Sequence, residues 1–493
     1  ADEVRVISCK AQEKEVWEWL SDGQGSYKIS SSTESKDRGV KIILKLKEDC
    51  DDFLEKIRLE HIVRTWSNHV QIPIFITSSD DDKDSENKQI NSANALWAKP
   101  KSEITDEQYQ EFFRSITYNM LPPWKTIHFK TEGLLEYTAL LFIPAETSVD
   151  LFDQQRKVQL ALYVNRVFIT DNMEGLLPGW LRFLRGLIDS QDLPLNVSRE
   201  MLQKEPRLAK IQKALVKRVL SELDKNLQSD AKDYDQVFWK HFGMVLKEGL
   251  YEGYEDPEAI LKISRFKSWK TPGWTNLDAY IEEMQEDQED IYYISADTEG
   301  AARQSPQLEA FQEKNVNVLL LHDPVDEFWS KMIPDYKGKK FVSITQSEID
   351  LGHIKGQSDS QPEAPKLEEN KGIELSEAIK AILQGKVSDV RVSKRLTTSP
   401  ICLIAAEGGQ DLRMQRLLKN HRNPMAEMSQ QLPILEINTA HPIIQKLSEM
   451  ETPDSAVCNL LFSQAAIQQG ILPEDTTEFS GQLNMMIQKA LSQ

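Results

Sequence analysis

Two stretches of this chain cannot belong to a hydrophobic core, and they dictate how the rest is divided. Residues 353–372, HIKGQSDSQPEAPKLEENKG, are Pro, Gly, Ser and charge with almost no apolar side chain. Residues 78–92, SSDDDKDSENKQINS, are charged and nearly free of apolar groups. Such segments bury too little apolar surface to offset the entropy of ordering, so they read as solvated linkers. They cut the 493 residues into three parts, 1–77, 93–352 and 373–493. That length suits roughly three domains of ordinary size, each able to bury its own core.

The first part opens directly in strand-like sequence: VRVISCKA, VWEWL, SYKISSS and VKIILKL. Four strand signals with nothing before them are expected to be the closing strands of a larger sheet whose beginning is absent. A helical run follows over 51–69, with Phe53, Ile57, Ile62 and Val63 at helical spacing, and then an apolar strand, IPIFI, at 72–76.

In the second part Thr105 is a candidate cap for a helix that begins beside it. Trp97 reads as a buried anchor. EYTALLFIPA (136–145) and QLALYVNRVFI (159–169) have the two-residue period of strands, and 206–227 carries a stripe from Leu208 to Leu227 that predicts a core-facing helix. DIYYISA (290–296) and VNVLLLHD (316–323), with helical sequence between them, predict a βαβ unit and a parallel sheet. DPVDEFWSKMI then sets Phe328, Trp329 and Met332 in an acidic segment, either as core or as an exposed patch.

The third part reads as helix, strand-like VSDVRVS and ICLIAA, and the helix LRMQRLLKN with Met414, Leu417 and Leu418. Two amphipathic runs end it. The apolar residues of the last run must fold back on their own domain or meet another chain. Leu460, Leu461, Leu483, Met486 and Ile487 are the candidates for a four-helix interface about a two-fold axis.

Charge excludes some partners. The formal net charge is −19 and the sequence pI about 5.1, which argues against nucleic acid and against an anionic membrane surface. No apolar run approaches the ~20 residues that span a bilayer. Cys9, Cys50, Cys402 and Cys458 lie far apart and read as reduced thiols of a cytoplasmic protein. The eight histidines have no metal-ligand spacing, so no metal site is expected.

The most informative stretch is 159–203. After the strand come Asp171, Trp180, Arg182, Phe183 and Arg185, and then Leu193-Pro194-Leu195-Asn196-Val197-Ser198-Arg199. Pro194 pushes its predecessor out of helical geometry, and Asn196 and Ser198 are both good N-caps for the periodic run beyond. An arginine just inside a helix start suits an anion such as a phosphate; it suits equally an ordinary surface pair with Glu200 or Asp192.

The wording YVNRVFITD and LRFLRGLIDSQDLPLNVSREMLQ closely resembles the middle domain of the heat shock protein 90 family, most nearly its bacterial branch. The resemblance runs through almost the whole chain and weakens after about residue 370. It implies an α/β and α+β multidomain protein. Residues 1–77 would be a fragment of an α/β sandwich nucleotide domain, and 93–352 an α/β middle domain with a helical connector and a smaller βαβ unit. Residues 373–493 would be a mixed α/β dimerisation domain. It also implies a homodimeric, ATP-dependent chaperone for partly folded client proteins, with ATP and Mg as cofactors of the full-length protein. Matched position by position, Arg199 would reach the γ-phosphate, with Asn196 and Gln203 beside it in a catalytic loop. Glu327, Phe328, Trp329, Lys331 and Met332, with Met414, Leu417 and Leu418, would lie on the client surface. Gly39 and Val40 sit where the family has a Gly-Thr pair against the adenine, and Val40 has no hydroxyl. The family's Asn-bearing helix, Asp-x-Gly-x-Gly turn and Gly-rich lid have no counterpart here, so this chain alone is expected to lack a complete ATP pocket and to bind no cofactor. A nucleotide-independent dimeric scaffold for partly folded proteins is the other reading.

Overall fold

The structure, a computed structural model, describes residues 1–34, 38–77, 89–133, 135–153, 158–171, 175–193, 206–345, 349, 351–352, 354, 367–406, 409–420, 431–473 and 475–491. The chain is mixed α/β, with four separate sheets among the described residues.

The first sheet holds β1 (Glu3–Cys9), β2 (Val16–Ser21), β3 (Lys28–Ser31) and β4 (Gly39–Lys45) in the order β3-β2-β1-β4, all antiparallel. Its buried cluster is only Ile7, Cys9 and Val16. α1 (Lys56–Trp66) follows without one buried residue. IPIFI, expected as a strand, makes a single bridge between Phe75 and Gln89. The reason is local: the buried Asn91 side chain takes the place of a neighbouring strand. Its Oδ1 accepts from Ile74 N, and its Nδ2 donates to the carbonyls of Val70 and Ile72.

The large sheet is built from β5 (Lys125–Thr131), β6 (Tyr137–Ile143), β7 (Gln159–Val164), β8 (Val167–Thr170) and β9 (Arg185–Ser190), in the order β5-β6-β9-β7-β8. β7 runs parallel to β9; the other neighbours are antiparallel. The stretch 159–169, expected as one strand, is therefore a hairpin. Asn165 and Arg166 both have positive φ, 50° and 68°, which makes a two-residue turn matched to the strand twist. Asp189 holds that turn by accepting from Arg166 N at 3.1 Å. Its other oxygen accepts from Trp97 Nε1 at 2.8 Å. One face of the sheet packs on Trp97 and α2 (Asp106–Thr117), and the other contributes to the main core with α3 (Pro206–Ser229). Thr105 caps α2 in a reciprocal box with Gln108. On α3 the predicted stripe is buried through Leu208, Ile211, Leu215, Val219 and Leu223.

Past α3 the chain forms a π-helical turn (Tyr234–Trp239), α4 (Lys240–Lys247) and α5 (Pro257–Ile263). A small sheet follows, made of β10 (Lys267–Ser268), β11 (Ile291–Ser295), β12 (Leu319–Leu321), β13 (Asp335–Tyr336) and β14 (Lys339–Ser343). Its order is β10-β12-β11-β14-β13, and β12, β11 and β14 are mutually parallel, as the βαβ pattern predicts. α6 (Leu277–Glu282) precedes β11; α7 (Glu299–Arg303) and α8 (Glu309–Glu313) join β11 to β12; α9 (Asp326–Met332) follows β12.

The last part places α10 (Glu369–Ile382) beside β15 (Asp389–Val392), β16 (Ile401–Ile404) and β17 (Ile434–Ile437), ordered β15-β17-β16. α11 (Leu412–Asn420), α12 (Pro442–Ser448), α13 (Ser455–Gln468) and α14 (Thr476–Leu491) complete it. Its core is separate from that of the large sheet. No helix among the described residues is long and apolar enough to cross a membrane.

Candidate functional site

Arg199, Asn196 and Gln203 lie outside the described residues. On either side of them the chain is held by buried strand and helix. β9 is buried at every position, Leu193 is 3% exposed, and α3 begins at Pro206. Arg207 Nη1 on α3 donates to Asp192 O at 2.5 Å, and the Asp192 carboxylate accepts from Glu136 N at 2.6 Å. Nearby, Arg182 makes a buried bidentate pair with Glu248, at 2.6 and 2.8 Å, the fork geometry that favours arginine over lysine. Gly39 and Val40 open β4 opposite Cys9 and Ser8, and the Val40 side chain is exposed. No group of three His, Cys, Asp or Glu among the described residues has the arrangement to hold a metal ion.

The second site is α9. A seven-residue helix has room for two faces, and 3.6 residues per turn divides them. Phe328, Lys331 and Met332 point outward and are exposed, and the Phe328 ring lies 5.8 Å from that of Tyr251. Trp329 and Glu327, expected on the same surface, are buried at 0% and 1% exposure, which corrects that expectation. Trp329 packs between the rings of Phe266 and Phe341, and its Nε1 donates to Asp326 at 2.7 Å. Glu327 faces Arg413 at 3.3 Å. On α11 Met414 is buried, also against expectation, while Leu417 and Leu418 are half-buried.

A charge cluster that the sequence reading missed holds α9 in place. Lys247, buried at the end of α4, donates to Asp323 and Asp326, each at 2.6 Å. Burial pulls the Lys247 ammonium down, but the two carboxylates outweigh it and hold its pKa above the ordinary value. The signal available was a lone lysine inside the apolar run GMVLKEGL. Glu327 is the opposite case. Burial, reinforced by the Asp411 charge, pushes its carboxyl up to about 7, against the pull of Arg413.

Of the expected dimer residues, Leu461 belongs to the core of its own part, which corrects its assignment to an interface. Leu460 and Met486 are half-buried. Leu483 and Ile487 are exposed on α14, which has no buried residue at all.

These features define a multidomain α/β protein whose apolar helix face is held out by buried charges. The sequence model described as Hsp90 protein matches residues 77–493. The chain belongs to the Hsp90 family. It is 43% identical to the chaperone protein HtpG of Rhodospirillum rubrum over all of this chain and 78% of that protein. The corresponding proteins of Paramagnetospirillum magneticum and Rickettsia canadensis are 44% and 42% identical, again over the whole chain and 78% of theirs.

The Glu327 shift has a pH signature. A carboxyl raised from 4.5 to about 7 contributes stability that is fully present below the lower value and is lost as pH rises through the upper one. Glu327→Gln should therefore gain on the wild type as pH rises through this window, by on the order of 2 kcal/mol. Urea denaturation midpoints at several pH values measure it, and parallel curves for the two proteins would refute it.

Proposed function

We propose that this chain is the working body of an ATP-dependent molecular chaperone that clamps partly folded clients as a homodimer. The observation that carries the reading is the pair Phe328 and Met332, exposed at 46% and 60% on a helix whose other face is locked by buried charge. Aromatic and methionine side chains adapt to varied partners, and exposed apolar groups on a rigid base fit binding without strict sequence preference. Lys331 beside them adds a cation for acidic segments of a client. Leu417 and Leu418 extend the surface, since Arg413 brings the start of α11 against α9.

Residues 1–77 form, in this reading, the end of a nucleotide-binding domain, with 78–92 and 353–372 as linkers around the middle part. The Val40 side chain offers no hydrogen-bonding group and β4 is exposed along its length, so ATP and Mg are held chiefly by other residues of the whole protein. Arg199, with Asn196 and Gln203 beside it, supplies a guanidinium that offsets charge on the phosphoryl oxygens. The exposed Leu483 and Ile487 of α14 meet a second copy of the chain. Four free cysteines fit a reducing cytoplasm.

Each element has its own test. Replacing Phe328 and Met332 together by Ser should weaken suppression of aggregation of a chemically unfolded substrate protein by about tenfold while leaving the melting temperature nearly unchanged. Equal suppression would remove the surface from the function. In the protein carrying its nucleotide domain, Arg199→Ala should lower ATP turnover by about 10³ with little change in ATP affinity. Unchanged turnover would leave the nucleotide-independent scaffold as the better reading. Deleting residues 476–493, which removes α14 and leaves the core helix α13 in place, should convert a dimer to a monomer in sedimentation; an intact chain already monomeric at micromolar concentration would exclude the dimer.

A further inference from the structure

The small sheet has the topology of a ligand-binding sheet. The chain leaves β11 for β12 on one side and returns to β14 on the other. In open parallel sheets the crevice at such a reversal, outside the carboxyl ends of the strands, is where ligands sit. Here the crevice is walled by Asp297 after β11, His322 after β12 and Glu327 on α9. A side chain from the last part of the protein fills it. Arg413 Nη2 donates to His322 O at 3.0 Å, Nε to Asp297 Oδ1 at 3.2 Å and Nη1 to Glu327 Oε1 at 3.3 Å. All three guanidinium nitrogens are used on three different walls, and the arginine is 6% exposed. Its own register is set by Asp411, whose Oδ1 accepts from Arg413 N at 2.9 Å. The other Asp411 oxygen accepts from the hydroxyls of Ser343 and Thr345 at the end of β14.

We propose that this crevice is a guanidinium-binding site, and that Arg413 is its ligand in cis, keying the C-terminal part onto the small sheet. The chemistry favours a guanidinium over other cations. Three acceptors arranged around one plane match the fork of an arginine and are too dispersed for the single point charge of a lysine. Around the site, Ser295 Oγ, facing Glu327, and Ser330 Oγ are buried short of a complete hydrogen bond, so the walls keep polar capacity of their own. Elsewhere along the seam Arg416 shares the Asp297 carboxylate, the Glu309 carboxylate accepts from the backbone N–H groups of Thr397, Thr398 and Ser399, and Gln307 Nε2 and Arg395 Nη1 each donate to one carbonyl, Leu403 O and Ile344 O, at 2.6 Å. The C-terminal part has its own apolar core, and Arg413 is the guanidinium that uses all three nitrogens to hold it here.

The test is chemical rescue in the full chain. Arg413→Ala should raise amide hydrogen exchange in peptides covering 322–330 and 409–418 by about tenfold or more. Guanidinium chloride at low millimolar concentration should restore protection with a saturating dose response. Sodium chloride and urea at the same concentrations should not, and wild type, its site already filled, should not respond. Unchanged exchange in the variant would overturn the proposal. So would rescue by sodium as good as by guanidinium, or no rescue by either. If the alanine variant does not fold, Arg413→Lys is read in its place: it keeps the charge without the fork, and full wild-type protection would equally overturn the assignment.

Discussion

The architecture around α9 depends on one buried ammonium. Lys247 reaches from α4 to Asp323 and Asp326 and has almost no contact with water. Removing one partner from such a group leaves an uncompensated charge and costs roughly 3–5 kcal/mol, although an apolar trio of the same shape can be as stable. What the ions add is direction. Asp326 also accepts from Trp329 Nε1, so the start of α9 and its inward indole are fixed by one carboxylate. With Trp329 turned in, the helical period turns Phe328 and Met332 out. Glu327, one residue on from Asp326, is then turned toward Arg413. The buried cluster around Lys247 thus fixes which face of α9 lies exposed and which acceptor faces the C-terminal part.

The seam between the small sheet and the C-terminal part contrasts with the cores on either side. Leu403 and Leu435 pack within one core, Tyr293 and Leu319 within another. Between them run charges and hydroxyls: Asp411, Arg413, Asp297, Ser343 and Thr345. Apolar burial is non-directional, whereas hydrogen-bonded charge is geometric and is lost steeply when partners move apart. Such a junction holds one arrangement well, because each charged or hydroxyl contact requires its own distance and angle. Burial and the Asp411 charge push the Glu327 carboxyl at this seam up to about 7, so the seam carries a pH-dependent charge.

The difference between local and distant information accounts for what could be read beforehand. The stripe on α3, the Thr105 cap, the strands β6 and β11 and the crossover between β11 and β12 were legible because periodicity and capping act within a few residues. The long match around 159–203 made the family legible in the same way. The hairpin at Asn165-Arg166 was missed because a two-residue turn without glycine is a weak signal. β17, central in its sheet, was missed because a four-residue strand, three apolar residues and Glu436, is too short to carry a period. IPIFI failed as a strand because its partner is the Asn91 side chain.

By itself, then, the sequence determined many of the local elements, the family and the pool of apolar and charged residues from which any site must be drawn. It could not say which side of α9 faces inward. Phe328 and Trp329 are adjacent and both aromatic, and only the position of Lys247, some eighty residues away in the chain, sends one into the core and leaves the other in water. Nor could it pair Glu327 with Arg413, because the two lie 86 residues apart in the chain and meet only through the tertiary fold. Burial and electrostatic pairing depend on distances through space, and those exist only once the tertiary fold has brought remote residues together.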